Sequence, residues 1–179
     1  MENSDHPERY RQTIRRFSDR LVEAQRPIFE RVLDFSAGCG NRAEIVDNLE
    51  WLSRIGFIEL LRDIGKHISV NSMVAKDSVR SRMEDRESGI SYTEFSYMLL
   101  QANDYLWLHD HLGCTIQIGG SDQWGNILTG TELIRKKGSG QAFALTAPLI
   151  TKADGSKFGK SEGGNIWIDK KRTSAYKFY

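Results

Sequence analysis

Apolar residues recur at helical spacing near the start of the chain. A single stripe, at i, i+4, i+7 and i+11, is formed by Tyr10, Ile14, Phe17 and Leu21. Such a stripe is typical of a surface helix that packs through one face. Pro7 suits the first helical turn, and Pro27 should kink or end the helix before Ile28. The pattern therefore predicts an N-terminal helical segment over residues 1–36.

The next part of the chain predicts a helical layer. Trp51 to His67 has helical apolar spacing. Val70–Met83 alternates short polar and apolar runs and favours two short helices, and Glu84–Gly89 is a charged loop. Ahead of them, Glu44–Val46 has the character of a short strand.

The last part predicts a long helix followed by alternating strands and helices. Ser91 or Thr93 should cap the long helix, which runs to about His111 and ends at Gly113. A strand, a helix and a second strand follow at Thr115–Ile118 (broken by Gly119 and Gly120), from Ser121 or Asp122 to Lys136, and at Phe143–Ile150. This order is typical of an α/β domain with a parallel sheet.

Composition narrows the classes of protein that fit this pattern. The chain has 179 residues, of which 39% are hydrophobic and 27% charged, as in soluble globular domains. No apolar run approaches the ~20 residues of a membrane span, and Met1–Asp5 lack the apolar centre of a secretory signal. A net charge of +1 excludes a protein that binds nucleic acid through a surface that is basic all over, but it is compatible with a local basic patch.

The cysteines and histidines suggest neither disulfides nor a metal site. Cys39 and Cys114 form no motif, so two free thiols in a reducing compartment are expected. The histidines lack a second set of ligands, so we expect no zinc at His67, His109 or His111. The expected location is the cytoplasm, with an organellar matrix as the alternative.

Three polar residues share one face of the long helix. Tyr97, Gln101 and Asp104 stand at i, i+4 and i+7 on a helix that is otherwise apolar. Asp104 could accept a hydrogen bond from a ligand hydroxyl, and Tyr97 and Gln101 could accept from an amino group. Simple exposure to solvent is the alternative explanation of this row.

A second candidate site lies where the first strand meets the next helix, in the run Gln117-Ile118-Gly119-Gly120-Ser121-Asp122-Gln123. Glycines allow a ligand to approach the backbone, and a helix start after a parallel strand favours phosphate or ribose groups. Asp122 could bind ribose hydroxyls. Alternatively, the glycines make a tight turn and Asp122 caps the helix.

The third candidate is a loop within Thr151–Gly164 that carries Lys157, Lys160 and Ser161. Lysines on a glycine-rich loop can close over a polyphosphate and stabilise charge that develops in a transition state. A solvated basic loop would have the same composition.

Taken in order, these segments resemble the bacterial and organellar tyrosyl-tRNA synthetases. The run Gln117–Asn126, the run Pro148–Gly155 and the pocket helix Phe95–Gln101 are similar to that family's signatures, and Lys157–Ser161 is similar to its KMSKS loop. The resemblance covers about Phe35 to Tyr179. It implies the second half of a Rossmann-like catalytic domain over residues 37–179, with a helical insertion over about 51–92.

The resemblance also implies an activity, substrates and residue roles. The activity is formation of tyrosyl-adenylate from L-tyrosine and ATP with Mg²⁺, and transfer of tyrosine to tRNA(Tyr). Tyrosine would be held by Tyr97, Gln101, Asp104 and Gln117, the adenylate by Gly119, Gly120, Asp122 and Gln123, and the pyrophosphate by Lys157, Lys160 and Ser161. The insertion would form a homodimer interface that includes Tyr92.

The chain departs from that family at its ends. It contains no His-x-Gly-His motif, and it stops at Tyr179, before the family's anticodon-binding region. We therefore expect a fragment with little activity alone, which leaves apolar surface of its sheet exposed or pairs with a chain carrying the other half. The rival hypotheses are a non-catalytic module that dimerises or binds RNA, and a tryptophan-specific relative.

Overall fold

The computed structural model describes residues 6–84, 89–151, 167 and 169–178. The chain divides into two compact units. The first contains the described residues up to Ser53 together with 167 and 169–178, and the second contains those from Arg54 to 151. Each unit is described by itself.

The first unit is built around helix α1, His6–Phe29. The helix continues through Ile28 and Phe29, so the prediction that it ends before Ile28 is wrong. Pro27 lies in the last turn, where its missing N–H costs one hydrogen bond and few residues remain to be displaced. Two short helices complete this unit, α2 at Leu49–Leu52 and α8 at Ala175–Phe178.

Two other expectations for this unit are not met. The predicted stripe of α1 does not pack: Tyr10 and Phe17 are 63% and 65% exposed. Spacing shows that a helix has an apolar face but not what covers it. Residues 44–46 form no strand among the described residues, since a strand needs a partner to satisfy its backbone groups.

The second unit begins with three short helices: α3 at Phe57–Asp63, α4 at Val70–Val74 and α5 at Asp77–Glu84. The prediction of two short helices over 70–83 is confirmed. The predicted helical stretch Trp51–His67 is helical but interrupted, because Gly56 is extended (φ −72°, ψ 149°) and separates α2 from α3. The predicted charged loop lies mostly at 85–88, outside the described residues.

Helix α6, Tyr92–Leu112, is the longest helix of this unit and confirms the predicted ends. Ser91 is its N-cap and forms a capping box with Glu94, in which each side chain bonds the other residue's backbone N–H. Gly113 ends the helix in the left-handed conformation, with φ at 65°, which costs glycine nothing because it has no Cβ.

Two parallel strands form the sheet, β1 at Ile116–Gly120 and β2 at Phe143–Ala147. Ile116 pairs with Phe143 and Gly120 with Ala147. A 3₁₀ turn at Ser121–Gln123 and helix α7, Trp124–Lys137, connect the strands. The glycines do not break β1, as the sequence had suggested; they are its last two residues. The α/β class with a parallel sheet is confirmed.

One face of the sheet packs against α6 and α7. Tyr105 of α6 is fully buried, its hydroxyl donates to the Phe143 carbonyl oxygen at 2.7 Å, and it lies 3.0 Å from the Thr115 carbonyl oxygen. Gly130 of α7 lies against that ring: a Cβ there would be 2.8 Å from Tyr105 Cδ1. Tyr105 therefore holds together the start of both strands and the two helices.

The opposite face of the sheet is apolar and exposed. Its side chains, each more than half exposed, are Ile116, Ile118, Phe143 and Leu145. They form two cross-strand pairs, since Ile116 pairs with Phe143 and Ile118 with Leu145. Parallel sheets are normally covered on both faces, but none of the described residues forms a second layer over this apolar sheet face.

Candidate active site

The predicted row on α6 lies at the border between core and solvent. Tyr97 is 57% exposed, and Gln101 and Asp104 are half-buried. Their neighbours Met98, Ala102 and Tyr105 are buried on the adjoining face. Simple exposure to solvent therefore describes Tyr97, whereas Gln101 and Asp104 are partly covered.

The turn after β1 has glycines for a local reason. A Cβ on Gly120 would lie 2.7 Å from both Asp122 Oδ1 and Leu149 Cδ2, and one on Gly119 would lie 3.0 Å from Gln123 Cβ. The protein's own side chains occupy the space that a larger residue would need. A larger residue would require these side chains to move, which is compatible with the tight turn that the sequence left open as an alternative.

Asp122 is not used as a helix cap. The first residues of α7 receive no side-chain cap hydrogen bond. Gln123 Nε2 donates to Asp122 Oδ2 at 3.4 Å, and Asn126 Nδ2 donates to Gln123 Oε1 at 3.4 Å. These long bonds leave the Asp122 carboxylate, at the carboxyl end of β1, with capacity to accept from a ligand hydroxyl.

The row and the turn meet through Asn126. Asn126 and Tyr97 line the same cavity of about 270 Å³, beside the Arg82–Glu94 ion pair at 3.0 Å. Asn126 also contacts Gln123. Asn126 therefore links Tyr97 of the row to Gln123 of the β1–α7 turn, whereas Asp122 lines a different cavity.

Gln117 carries a buried acceptor without a partner. Its Oε1 atom has no hydrogen-bond partner among the described residues. Leaving such a group unsatisfied costs about 1–3 kcal/mol. A donor from a ligand would remove that cost, which fits the predicted place of Gln117 in a polar pocket.

A larger cleft of about 890 Å³ lies along the start of α7. It is lined by residues that include Lys76, Asp122, Trp124, Glu132 and Lys136. Lys76 Nζ donates to the Gly125 carbonyl oxygen and to Thr129 Oγ1, and lies 3.4 Å from Met98 Sδ. Burial lowers the pKa of this ammonium to about 8.

Sequence reasoning missed Lys76. It follows the apolar run Met73-Val74-Ala75, but nothing in that spacing shows that the side chain crosses to α7. The predicted loop residues Lys157, Lys160 and Ser161 lie outside the described residues. Within the described ranges no three His, Cys, Asp or Glu gather as metal ligands, and Cys39 and Cys114 are free thiols as predicted.

Comparison with known proteins identifies the family of the chain. Residues 4–179 match the family described as tRNA synthetases class I (W and Y). The chain belongs to this family. A tyrosine–tRNA ligase of Parabacteroides distasonis is 59% identical over 150 residues, which is 83% of this chain and 35% of that relative. The tyrosine–tRNA ligase of Geobacillus stearothermophilus is 56% identical over 170 residues, 94% of this chain and 39% of that relative.

Solved structures of the same class I family have a similar fold. A C-terminally truncated mitochondrial tyrosyl-tRNA synthetase of Aspergillus nidulans superposes with a TM-score of 0.61 and 31% identity, over 77% of this chain and 41% of that one. A C-terminally truncated mitochondrial tyrosyl-tRNA synthetase of Coccidioides posadasii superposes with a TM-score of 0.58 and 28% identity. This match covers 73% of this chain and 38% of that one. The chain thus spans well under half the length of the synthetases it matches. Across the part of the chain that the structure describes, no helix is long and apolar enough to cross a membrane.

Proposed function

We propose that this chain contributes the tyrosine-binding row and the adenylate-binding turn of a tyrosine–tRNA ligase. The reaction is activation of L-tyrosine by ATP to tyrosyl-adenylate, followed by transfer to tRNA(Tyr). The observation that carries the proposal is Asn126, which lines one cavity with Tyr97 of the row and bonds Gln123 of the β1–α7 turn. The relatives named tyrosine–tRNA ligase support it.

Each end of the row has a part in binding tyrosine. The half-buried Asp104 accepts a hydrogen bond from the phenol hydroxyl, and Tyr97 and Gln101 accept from the α-ammonium. Gln117 Oε1, which is buried and has no partner in the described chain, gains one when the amino acid is bound. A site built around a hydroxyl contact rejects phenylalanine strongly, because its polar groups are then left unpaired.

The turn would hold the nucleotide half of the intermediate. Asp122 accepts from ribose hydroxyls, and the backbone of Gly119 and Gly120 together with Gln123 borders the reacting carboxyl and phosphate. Lys157, Lys160 and Ser161 would stabilise the departing pyrophosphate electrostatically. No covalent enzyme intermediate is required, so the residues act by positioning and charge.

In this proposal Mg²⁺ enters the site bound to ATP. Mg²⁺ bound to the phosphates would neutralise part of their charge. Among the described residues, no three acidic, His or Cys side chains gather. We assign no resident metal to the chain.

The helical insertion supplies a candidate homodimer surface. Phe57 and Ile58 of α3 are 58% and 74% exposed, and Tyr92 at the start of α6 is 64% exposed. We infer that this insertion surface is buried between two copies, in the cytoplasm or an organellar matrix. Light scattering should show a dimer for the chain and a monomer for Ile58→Glu. A monomer before substitution contradicts the dimer.

Ligand binding and pyrophosphate exchange test the activity. Titration calorimetry should detect tyrosine binding to the full chain, with at least tenfold weaker binding of phenylalanine and loss of that selectivity in Asp104→Asn. Asp110→Asn, on the exposed end of the same helix, is the control. Equal binding of both amino acids contradicts the tyrosine site.

Exchange then separates an enzyme from a binding module. Tyrosine-dependent pyrophosphate exchange by the chain alone, lost in Lys160→Ala, supports catalysis. Exchange only after addition of a chain carrying the remaining part of a relative shows a split enzyme. Absence of exchange under both conditions favours the non-catalytic module.

A further inference from the structure

Lys76 crosses from the helical insertion to the start of α7. It lies between α4 and α5, and its Nζ donates to the Gly125 carbonyl oxygen and to Thr129 Oγ1. Thr129 Oγ1 also donates to the same Gly125 oxygen, at 2.9 Å. Lys76 is thus bonded to two residues of the first turns of α7.

The close packing of the lysine stem explains a glycine of the site motif. A Cβ on Gly125 would lie 3.0 Å from Lys76 Cδ. Gly125 follows Asp122 by three residues and Gln123 by two. The methylene groups of Lys76 therefore pack against the backbone that immediately follows the proposed nucleotide-binding turn.

A third contact reaches the tyrosine-binding helix. Lys76 Nζ lies 3.4 Å from Met98 Sδ, and Met98 is buried next to Tyr97 on α6. One half-buried side chain thus contacts α6 and α7 from the insertion. A lysine held among a carbonyl, a hydroxyl and a thioether loses part of the hydration that a surface lysine keeps. The hydrogen bonds to the carbonyl and the hydroxyl offset the free-energy cost of this desolvation.

We propose that Lys76 is a positioning residue that fixes the β1–α7 turn, and thereby Asp122 and Gln123, for the nucleotide half of the adenylate. It acts through Gly125 and Thr129 and does not itself touch the reacting atoms. This role deepens the proposed function, and its structural part can be tested without it.

Hydrogen exchange tests the structural part. In Lys76→Met, which keeps the stem and removes the ammonium, amides in peptides covering 121–131 should exchange at least fivefold faster than in the unchanged chain. Peptides covering 133–137 of the same helix should keep their rate. Lys137→Met, on an exposed lysine of α7, is the matched control and should alter neither region. Unchanged exchange over 121–131 in Lys76→Met overturns the proposal.

A second pair of variants covers the case in which Lys76→Met fails to fold. Thr129→Val removes the hydroxyl with little change of shape, whereas Thr129→Ser keeps it. Thr129→Val should accelerate exchange over 121–131 and Thr129→Ser should not. If both variants leave exchange unchanged, the contacts of Lys76 do not fix the turn and the proposal is wrong.

Ligand binding tests the functional part. Lys76→Met should weaken binding of a non-hydrolysable tyrosyl-adenylate analogue about tenfold and leave the affinity for tyrosine within twofold, because tyrosine is held by α6. Equal losses for both ligands would show a merely structural role and overturn the positioning role. Should the unchanged chain bind neither ligand, the proposed function fails while the exchange experiment still decides whether Lys76 fixes the turn.

Discussion

The contact between Gly130 and Tyr105 predicts that one added methyl group destabilises the fold. In Gly130→Ala the new Cβ would lie 2.8 Å from Tyr105 Cδ1 and 3.0 Å from Tyr105 Cβ. The ring cannot move away easily, since Tyr105 is fully buried and its hydroxyl bonds the start of β2.

Two opposing effects determine whether Gly130→Ala lowers or raises the free energy of unfolding. Alanine stabilises a helix interior by about 1 kcal/mol relative to glycine. Overpacking a well-filled core costs about 1–3 kcal/mol, and the upper part of that range applies because the atoms met are a ring carbon and a Cβ. We expect a net loss of about 1–2 kcal/mol in the free energy of unfolding.

Urea unfolding followed by circular dichroism measures this loss. Gly65→Ala is the control, because its Cβ would meet no atom closer than 3.6 Å, and it should change stability by under about 0.5 kcal/mol. In a Tyr105→Leu background, Gly130→Ala should lose most of its effect. An unfolding free energy for Gly130→Ala equal to or above that of the unchanged chain refutes the reasoning.

Three further outcomes follow from the described contacts. Ser91→Ala removes the N-cap of α6 and its capping box with Glu94, and it should lower the free energy of unfolding by about 1 kcal/mol. Ser91→Thr should retain most of that stability. Equal melting temperatures for the unchanged chain, Ser91→Ala and Ser91→Thr contradict the capping role. Lys76 should titrate near pH 8 in an NMR titration of its ε-carbon, ahead of the other lysines, and a midpoint above 10 contradicts its burial. Because its folded pKa lies below the unfolded value of 10.5, the unfolded chain binds more protons between these values, so this group should make stability rise as pH increases from about 8 to 10.5; Lys76→Met should abolish that rise.

Local signals explain which parts of this fold can be predicted from sequence. Ser91, Glu94 and Gly113 define both ends of α6 because caps depend on residues within one turn of the helix end. The parallel sheet follows from a strand, a helix and a strand in succession. The row of Tyr97, Gln101 and Asp104 follows from helical spacing alone.

Features that depend on distant partners could not be predicted in the same way. Gly56 separates α2 from α3 although apolar spacing continues across it. Residues 44–46 have strand character but no partner in the described chain. The bonds from Lys76 to Gly125 and Thr129 join residues 49 and 53 positions apart, a separation at which spacing carries no information.

The Tyr105 hydrogen bonds have a consequence for the order in which the chain folds. Its hydroxyl contacts carbonyl groups only 10 and 38 positions away in sequence. Because the entropy cost of closing a loop grows only slowly with its length, the contact at 38 positions costs little more than the one at 10. We expect the continuous stretch 91–147 to form the folding nucleus, assembled before the insertion and the N-terminal helix acquire fixed positions. During synthesis, this stretch would be the first part of the chain to resist proteolysis.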